Sequence, residues 1–341
     1  MRHIGETPLK GINLYVRKSG NMLNILFLFL GIALLTFGGE ALIRGSLAAA
    51  NRLGVSPLLS GLVIVGFGTS APELVVSVNA AIEGRPDIAI GNVVGSNISN
   101  VLLILGICAV ITPLAVKPLV LKRDAATVVA ASILFVILVG GSALGRADAA
   151  IFLAALITYL VWAYRSERFH AAPSGELHQA EAEELSAAPK SVLWIVIAVI
   201  LGLLLLIGGS QILLIGAIGI AEHFYVPEAV IGLTLVAVGT SLPELSISVI
   251  AAIRRHADVA VGNILGSNIF NLLGILGVSS LLQPLPIHAR ILLFDQWVML
   301  GTSLLLLLFL YTGRRLSRLE GGILLGGYGI YVWLSFTVFS G

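Results

Sequence analysis

Charge is scarce in this chain. Asp, Glu, Lys and Arg make up 11% of its 341 residues against 57% hydrophobic residues, and the mean hydropathy is +1.02. No water-soluble globular surface can be assembled from so little polarity, so a bilayer is the expected solvent. Cysteine is nearly absent. The single Cys108 rules out an internal disulfide; it lies in an apolar stretch and reads as a small core residue, which leaves the redox compartment open. The net charge of +2 is too small, and the basic residues too dispersed, for nucleic acid as a partner. The six histidines are scattered over loops and tails without the spacing of zinc ligands. No small-residue cleavage site follows the first basic residues, Arg2, Lys10, Arg17 and Lys18, so residues 1–22 read as a retained tail.

What the chain has instead is long apolar runs bounded by charge, Pro or Gly, each able to cross roughly 30 Å of hydrocarbon. They predict spans near residues 23–50, 57–82, 88–111, 125–144 and 149–164, then 192–220, 228–253, 259–282, 291–311 and 321–339. Between the two groups lies a polar stretch with His170, Pro173, Gly175, Glu176, Glu181, Glu183 and Glu184, which reads as a solvated linker. The domain reading is a tail over 1–22, a first five-helix repeat over 23–164, a linker over 165–191 and a second repeat over 192–341.

The word repeat rests on a self-match at one offset of 171 residues. GFGTSAPELVVSV from Gly66 aligns with AVGTSLPELSISV from Ala237, and GNVVGSNISNVLLILG from Gly91 with GNILGSNIFNLLGILG from Gly262. The offset also pairs Gly31 with Gly202, Gly38 with Gly209, Gly61 with Gly232, Asp87 with Asp258, Pro113 with Pro284 and Asp124 with Asp295. An odd number of spans per copy makes the second copy enter the membrane from the opposite side. The predicted fold class is therefore an all-α integral membrane protein of ten transmembrane helices, arranged as two inverted five-helix repeats whose central motifs meet at mid-membrane. Twelve Lys and Arg residues fall on one side of this topology and seven on the other. That bias makes the first side cytoplasmic and places both termini outside a cytoplasmic membrane, although the basic N-terminal tail pulls the other way.

Glu73 and Glu244 lie well inside predicted spans, where an acidic residue costs about 2.5–3.5 kcal/mol on insertion scales. Thr69 and Ser70 precede Glu73 by four and three residues and project from the same helix face; Thr240, Ser241 and Glu244 repeat the pattern. Pro72 and Pro243 cannot donate backbone hydrogen bonds, so each helix is expected to open around Gly68–Thr69 and Gly239–Thr240. The carbonyls of Gly66, Thr69, Ala237 and Thr240 become candidate ligands. Asn92, Ser96 and Asn100 recur every four residues as a polar stripe, as do Asn263, Ser267 and Asn271, with Gly91, Gly95, Gly262 and Gly266 beside them. For these stripes interhelical hydrogen bonding is a serious rival to ion contact, and Asn92 and Asn263 can be read as wholly structural.

Two carboxylates among hydroxyls, amide oxygens and carbonyls, with no sulfur or imidazole, suit a hard cation. Calcium takes six to eight oxygens at roughly 2.3–2.6 Å and is neutralised by two carboxylates, whereas magnesium sheds water reluctantly. Composition alone does not separate calcium from sodium or protons. A cage with two buried negative charges is costly to carry through the bilayer without its ion, which is the physical logic of obligatory exchange.

At these residues the chain resembles the cation/calcium exchanger superfamily, in particular its sodium/calcium exchangers and their prokaryotic relatives. The resemblance spans nearly the whole chain and is carried by Gly68-Thr69-Ser70-Ala71-Pro72-Glu73 and Gly239-Thr240-Ser241-Leu242-Pro243-Glu244, each followed by Gly-Asn…Gly-Ser-Asn. It implies calcium between the two glutamates, sodium ions in flanking sites, and alternating access by sliding of the first and sixth spans. By position, Glu73, Glu244 and the carbonyls of Thr69 and Thr240 would hold calcium. One sodium site would use Ser70, Ser96 and Glu73, and its mirror Ser241, Ser267 and Glu244. Potassium-dependent relatives carry aspartate where this chain has Asn271, and its repeat mate Asn100 is also an amide, which argues against potassium coupling. Proton-coupled exchange stays open as an alternative; a cation channel or an intramembrane hydrolase working through the two glutamates is less favoured, because no nucleophile or metal motif accompanies them. No enzyme activity and no cofactor is expected beyond the transported Ca2+ and Na+, with the lipid bilayer as the one clear partner.

Other intramembrane charges read more plainly. Glu40 and Arg44 are spaced for a local ion pair, and their repeat mates are Gln211 and Ile215, so a structural role is expected. Asp124 and Asp295 sit at span entrances and read as exposed helix caps. Ser77 and Ser248, one turn beyond the glutamates, suit either the site or their own backbone.

Overall fold

The computed structural model of the protein describes residues 21–53, 68–115, 121–141, 143–169, 191–255 and 257–337. Residues 1–20 of the predicted tail, the start of the second span with Gly66, and most of the linker lie outside them, while Asn21 and Met22, assigned to the tail, already belong to the first helix. Helix α1 runs over Asn21–Arg52, α2 over Ala71–Ile82, and α3 over Pro86–Ser99, which passes through a π-helical stretch at Asn100–Leu105 into α4, Gly106–Ile111. Another π-helical stretch, Leu121–Ala125, opens α5 (Ala126–Val139), and α6 covers Arg146–Phe169. The second half follows with α7 (Val192–Phe224), then α8 (Glu228–Ile231), a π stretch at Gly232–Val236, α9 (Ala237–Thr240) and α10 (Leu242–Ile253). Helix α11 (Ala257–Ile269) passes through Phe270–Ile275 into α12 (Leu276–Leu282); Ile291–Asp295 opens α13 (Gln296–Gly313), and α14 is Arg318–Thr337.

Among the described residues six stretches are long and apolar enough to cross a membrane: Met22–Ala49, Pro86–Ile111, Arg146–Ser166, Val192–Phe224, Val259–Leu282 and Ile291–Gly313. The pair Glu228–Thr240 and Leu242–Ile253, bent by 50°, makes up to a seventh. The chain is thus a mostly helical, multi-pass membrane protein. The span predicted to reach residue 144 stops at Val139, because Gly140 and Gly141 turn the chain into a short strand.

Helices α1 and α7 pack antiparallel along glycine stripes. Gly31, Gly38 and Gly45 recur every seven residues on α1, and Gly202, Gly209 and Gly216 on α7, a spacing that keeps one face toward one partner. A Cβ on Gly31 would lie 2.6 Å from the Leu213 backbone nitrogen, and one on Gly216 2.6 Å from that of Leu28. No side chain fits there, so the backbones meet directly.

Four two-residue strands, unanticipated from the sequence, link the halves: β1 (Leu114–Ala115) pairs with β4 (Arg315–Leu316), and β2 (Ala143–Leu144) with β3 (Leu285–Pro286). An ion pair between Arg85 and Glu228 adds a further link. The repeat offset slips by one residue near Arg314, which takes a left-handed φ of 48°. Beyond it the correspondence resumes: Gly145 N donates to Asp148 Oδ2 at 2.8 Å, as Ser317 N does to Glu320 Oε2 at 2.7 Å.

Asp124 and Asp295 are not exposed caps. Both are buried in ion pairs, Arg123 Nε to Asp124 Oδ1 at 2.6 Å and Arg290 Nε to Asp295 Oδ2 at 2.9 Å. Tyr159 and Tyr331 each donate a hydroxyl at 3.1 Å. A buried carboxylate at a span entrance is tolerable only with such partners. The arginines lie at different sequence distances from their aspartates, one and five residues, so the repeat comparison could not reveal them.

Candidate cation site

Each copy breaks its helix at a serine. Ser70, just before α2, has φ −85° and ψ 11°, and Ser241, between α9 and α10, has φ −83° and ψ 12°, in both cases a bridge conformation. The break falls slightly later than the prolines alone suggested, because Pro72 and Pro243 occupy the second position of the new helix, where a missing N–H is harmless. Glu73 and Glu244 follow as the third residues of α2 and α10. Their carboxylates therefore sit in first helical turns, whose free N–H groups favour negative charge. Ala237, expected to offer a freed carbonyl, still accepts from Ser241 N at 3.1 Å, so the helix stays closed at that position.

The two breaks lie against each other, and both carboxylates are fully buried. Ser70 Oγ donates to Glu244 Oε1 at 2.9 Å, and Ser241 Oγ donates to Glu73 Oε1 at 2.7 Å. The resemblance groups each serine with the glutamate of its own copy; the hydrogen bonds run to the glutamate of the other. Ser267 Oγ adds a longer bond to Glu244 Oε1 at 3.3 Å. Glu73 Oε2 and Glu244 Oε2 are buried with no hydrogen-bond partner among the described residues. An unpaired carboxylate oxygen away from water is costly, and a bound cation removes that cost.

The remaining predicted residues surround this centre, except Gly66, which lies outside the described residues. Thr69 Oγ1 is 3.4 Å from Ser267 Oγ, and Ser96 Oγ donates to the Ala237 carbonyl at 3.4 Å. Thr240 Oγ1 faces Asn92 Oδ1 at 3.1 Å and the Val236 and Ala237 carbonyls at 3.1 and 3.2 Å. Asn100 Nδ2 donates to Asn268 Oδ1 at 2.9 Å, while both amide atoms of the buried Asn271 lack a partner among the described residues.

Asn92 and Asn263 reach the backbone behind the carboxylates. Asn92 Nδ2 donates to the Glu73 carbonyl at 3.3 Å and to Ser77 Oγ at 2.9 Å; Asn263 Nδ2 does the same to Glu244 and Ser248 at 3.5 and 3.1 Å. Two residues went unassigned in the sequence, Asn97 and Asn268. Their recurrence in Gly-Ser-Asn at the repeat offset was the available signal. Helix α1 covers both breaks: Gly39 lies beside Pro72, Ile43 beside Gly68, and Ile32 beside Gly239.

Known proteins resemble this chain over nearly its whole length. The family model described as sodium/calcium exchanger protein matches residues 23–165 and 194–337. The chain is 40% identical over 318 residues to the proposed antiporter CaxA of Alkalimonas amylolytica, covering 92% of this chain and 98% of that protein. It is 32% identical over 350 residues to the sodium/calcium exchanger MaX1 of Methanosarcina acetivorans, covering 92% and 99%. The solved structure of the sodium-calcium exchanger NCX_Mj, soaked with Na+ and Sr2+, superposes with a TM-score of 0.61 at 31% identity, covering 92% of this chain and 99% of that one. With both halves matched and its two acidic motifs facing each other across the breaks, the chain belongs to the sodium/calcium exchanger protein family.

Proposed function

We propose that the protein is a secondary active antiporter that exchanges Ca2+ for Na+ by alternating access, built from ten transmembrane helices in two inverted five-helix repeats. One observation carries the reading: two buried carboxylates, one from each copy, are tied to each other's helix break by serine hydroxyls, and each keeps one oxygen without a partner among the described residues. Two such charges match one Ca2+ or a pair of Na+, and the bare site is too negative to cross a low-dielectric interior. Ca2+ would lie between Glu73 and Glu244 with the Thr69 and Thr240 carbonyls. Na+ would use the serine hydroxyls of Ser70, Ser96, Ser241 and Ser267, with Asn100 and Asn271 lining the middle.

The inverted arrangement is supported by the antiparallel α1–α7 pair and by Ser132 and Ser303, repeat mates whose hydroxyls meet at 3.2 Å. A residue touches its own counterpart where a local twofold relates the copies. The membrane is the cytoplasmic one, with both termini outside; Arg123 and Arg290, now paired and buried, are removed one from each side of the charge count and leave its bias unchanged.

Proteoliposomes loaded with Na+, K+ or buffered protons and diluted into Ca2+ test the proposal. Rapid, saturable Ca2+ uptake only from Na+-loaded vesicles is expected. Equal uptake without any counter-cation overturns the exchanger reading, and uptake driven by protons alone moves the coupling ion to H+.

A further inference from the structure

The serines at the two breaks make equivalent bonds to the glutamates, but the bonds around them differ between the copies. Thr240 Oγ1 is tied to Asn92 Oδ1 at 3.1 Å; the equivalent tie, Thr69 to Asn263, is not made, and Thr69 instead faces Ser267 at 3.4 Å. Thr240 closes the last turn of α9, whereas Thr69 already lies in the turn. Ser267 donates to its own Glu244, while Ser96 donates to the Ala237 carbonyl. Asn100 Nδ2 donates to Asn268 Oδ1 at 2.9 Å, yet Asn271 and the side-chain oxygen of its counterpart acceptor Asn97 are both without a partner among the described residues. Asn268 Nδ2 crosses to the Asn97 carbonyl at 3.3 Å, whereas Asn97 Nδ2 bonds back to Val93 in its own helix at 2.8 Å. All these differences separate residues that are equivalent in the sequence repeat.

In a carrier of inverted repeats the opposite-facing state is reached when the two copies exchange conformations. From this we infer that Asn92 and Asn263 are positioning residues that hold one or the other half of the cage closed, through Thr240 in the present state and through Thr69 in its opposite. Asn268 and Asn97 form a second switched pair on the same principle, with Asn100 and Asn271 as alternate donors. Neither Asn92 nor Asn263 needs to touch the ion. Each secures a threonine hydroxyl in the other copy while its amide nitrogen holds the carbonyl behind its own glutamate, so the tie reports across the repeat boundary. This inference rests on the alternating-access reading above.

The exchange of states gives a signature that loss of packing cannot mimic. Removing a tie made in only one state shifts the equilibrium between states, and the ratio of half-saturating Ca2+ concentrations on the two membrane faces follows that equilibrium. Loss of one buried neutral hydrogen bond corresponds to about fivefold in that ratio. Asn92→Ala should change the ratio by about this factor in one direction and Asn263→Ala in the other, and the double variant should return it near the wild-type value. Asn268→Ala should follow Asn92→Ala, and Asn97→Ala should follow Asn263→Ala, so either pair suffices if a member of the other does not insert. The measurement is Na+-driven Ca2+ flux in vesicles of both orientations, with Ca2+ varied on each face. Shifts of the same sign in both members of a pair, or unchanged ratios, overturn the inference while leaving the exchanger reading intact. Absence of Na+-driven flux in the wild type overturns both.

Discussion

Replacing Glu73 by glutamine removes one of two buried negative charges while keeping the shape of the side chain. Within the protein the change is mild. Ser241, which donates to Glu73 Oε1 at 2.7 Å, finds an amide oxygen there, and the repulsion between two enclosed carboxylates disappears. The ion-free protein should therefore be no less stable than wild type. Toward a divalent cation the change is severe, because removing one member of a buried, paired charge set costs about 3–5 kcal/mol, a weakening of roughly a hundred- to several-thousand-fold. Thermal unfolding in detergent separates the two effects. Ca2+ at about a hundred times its dissociation constant stabilises the wild type by about 2.7 kcal/mol, and Glu73→Gln should lose nearly all of that rise and also the Na+-driven Ca2+ flux. Glu244→Gln should behave alike, since each carboxylate accepts the hydroxyl of the other copy's break serine. Normal Ca2+ exchange in either variant would refute the shared site, and a large loss of ion-free stability would assign the glutamates to packing instead.

Ser241→Ala removes a hydrogen bond to a charged acceptor, worth about 1.5–3 kcal/mol, and should raise half-saturating Na+ at least tenfold while Ser246→Ala, whose hydroxyl bonds its own helix at Leu242, leaves it unchanged. Gly31→Ala places a Cβ 2.6 Å from the Leu213 backbone and should destabilise by about 1–3 kcal/mol; Gly208→Ala, with nothing within 4 Å, should melt like the wild type. Asp295→Asn removes the carboxylate paired with the buried Arg290 and should cost about 3–5 kcal/mol, detectable as early loss of monodispersity on heating.

The bilayer solvent, the repeat and the two glutamates were legible in the sequence because each is a property of composition or recurrence. Glu73 and Glu244 stand out by being charged where charge is expensive, and Thr69, Ser70, Thr240 and Ser241 by their spacing from them. What the sequence could not convey was pairing across copies. Nothing in the order of residues says that Ser70 serves Glu244 and Ser241 serves Glu73, since a local motif suggests local partners. Asp124 and Asp295 were misread for the related reason that their arginines and tyrosines arrive from unequal distances along the chain. The short strands escaped because two residues carry no periodicity. Asn97 and Asn268 were visible as repeated letters, but their role depends on a difference between copies, and a repeat displays only what the copies share.

Under the exchange proposal, the glycine stripes and the cation cage would be two parts of one device. Helix α1 lies over both breaks through Ile32, Gly39 and Ile43, so whatever moves α1 uncovers one break or the other. Its interface with α7 is close at Gly31, Gly38, Gly202 and Gly209, where backbone and leucine Cβ atoms of the facing helix fill the space that a side chain would need. Under the alternating-access proposal, a pair joined this closely would shift along the breaks as one body, while the ties behind Glu73 and Glu244 would resist motion of the cage itself. If so, wedging the pair apart should slow exchange without changing ion affinity. Gly209→Ala, whose Cβ would lie 2.9 Å from that of Leu34, is expected to lower the maximal Ca2+ flux several-fold at an unaltered half-saturating Ca2+ concentration. A variant that weakened affinity and left maximal flux intact would place these helices in ion binding rather than in movement.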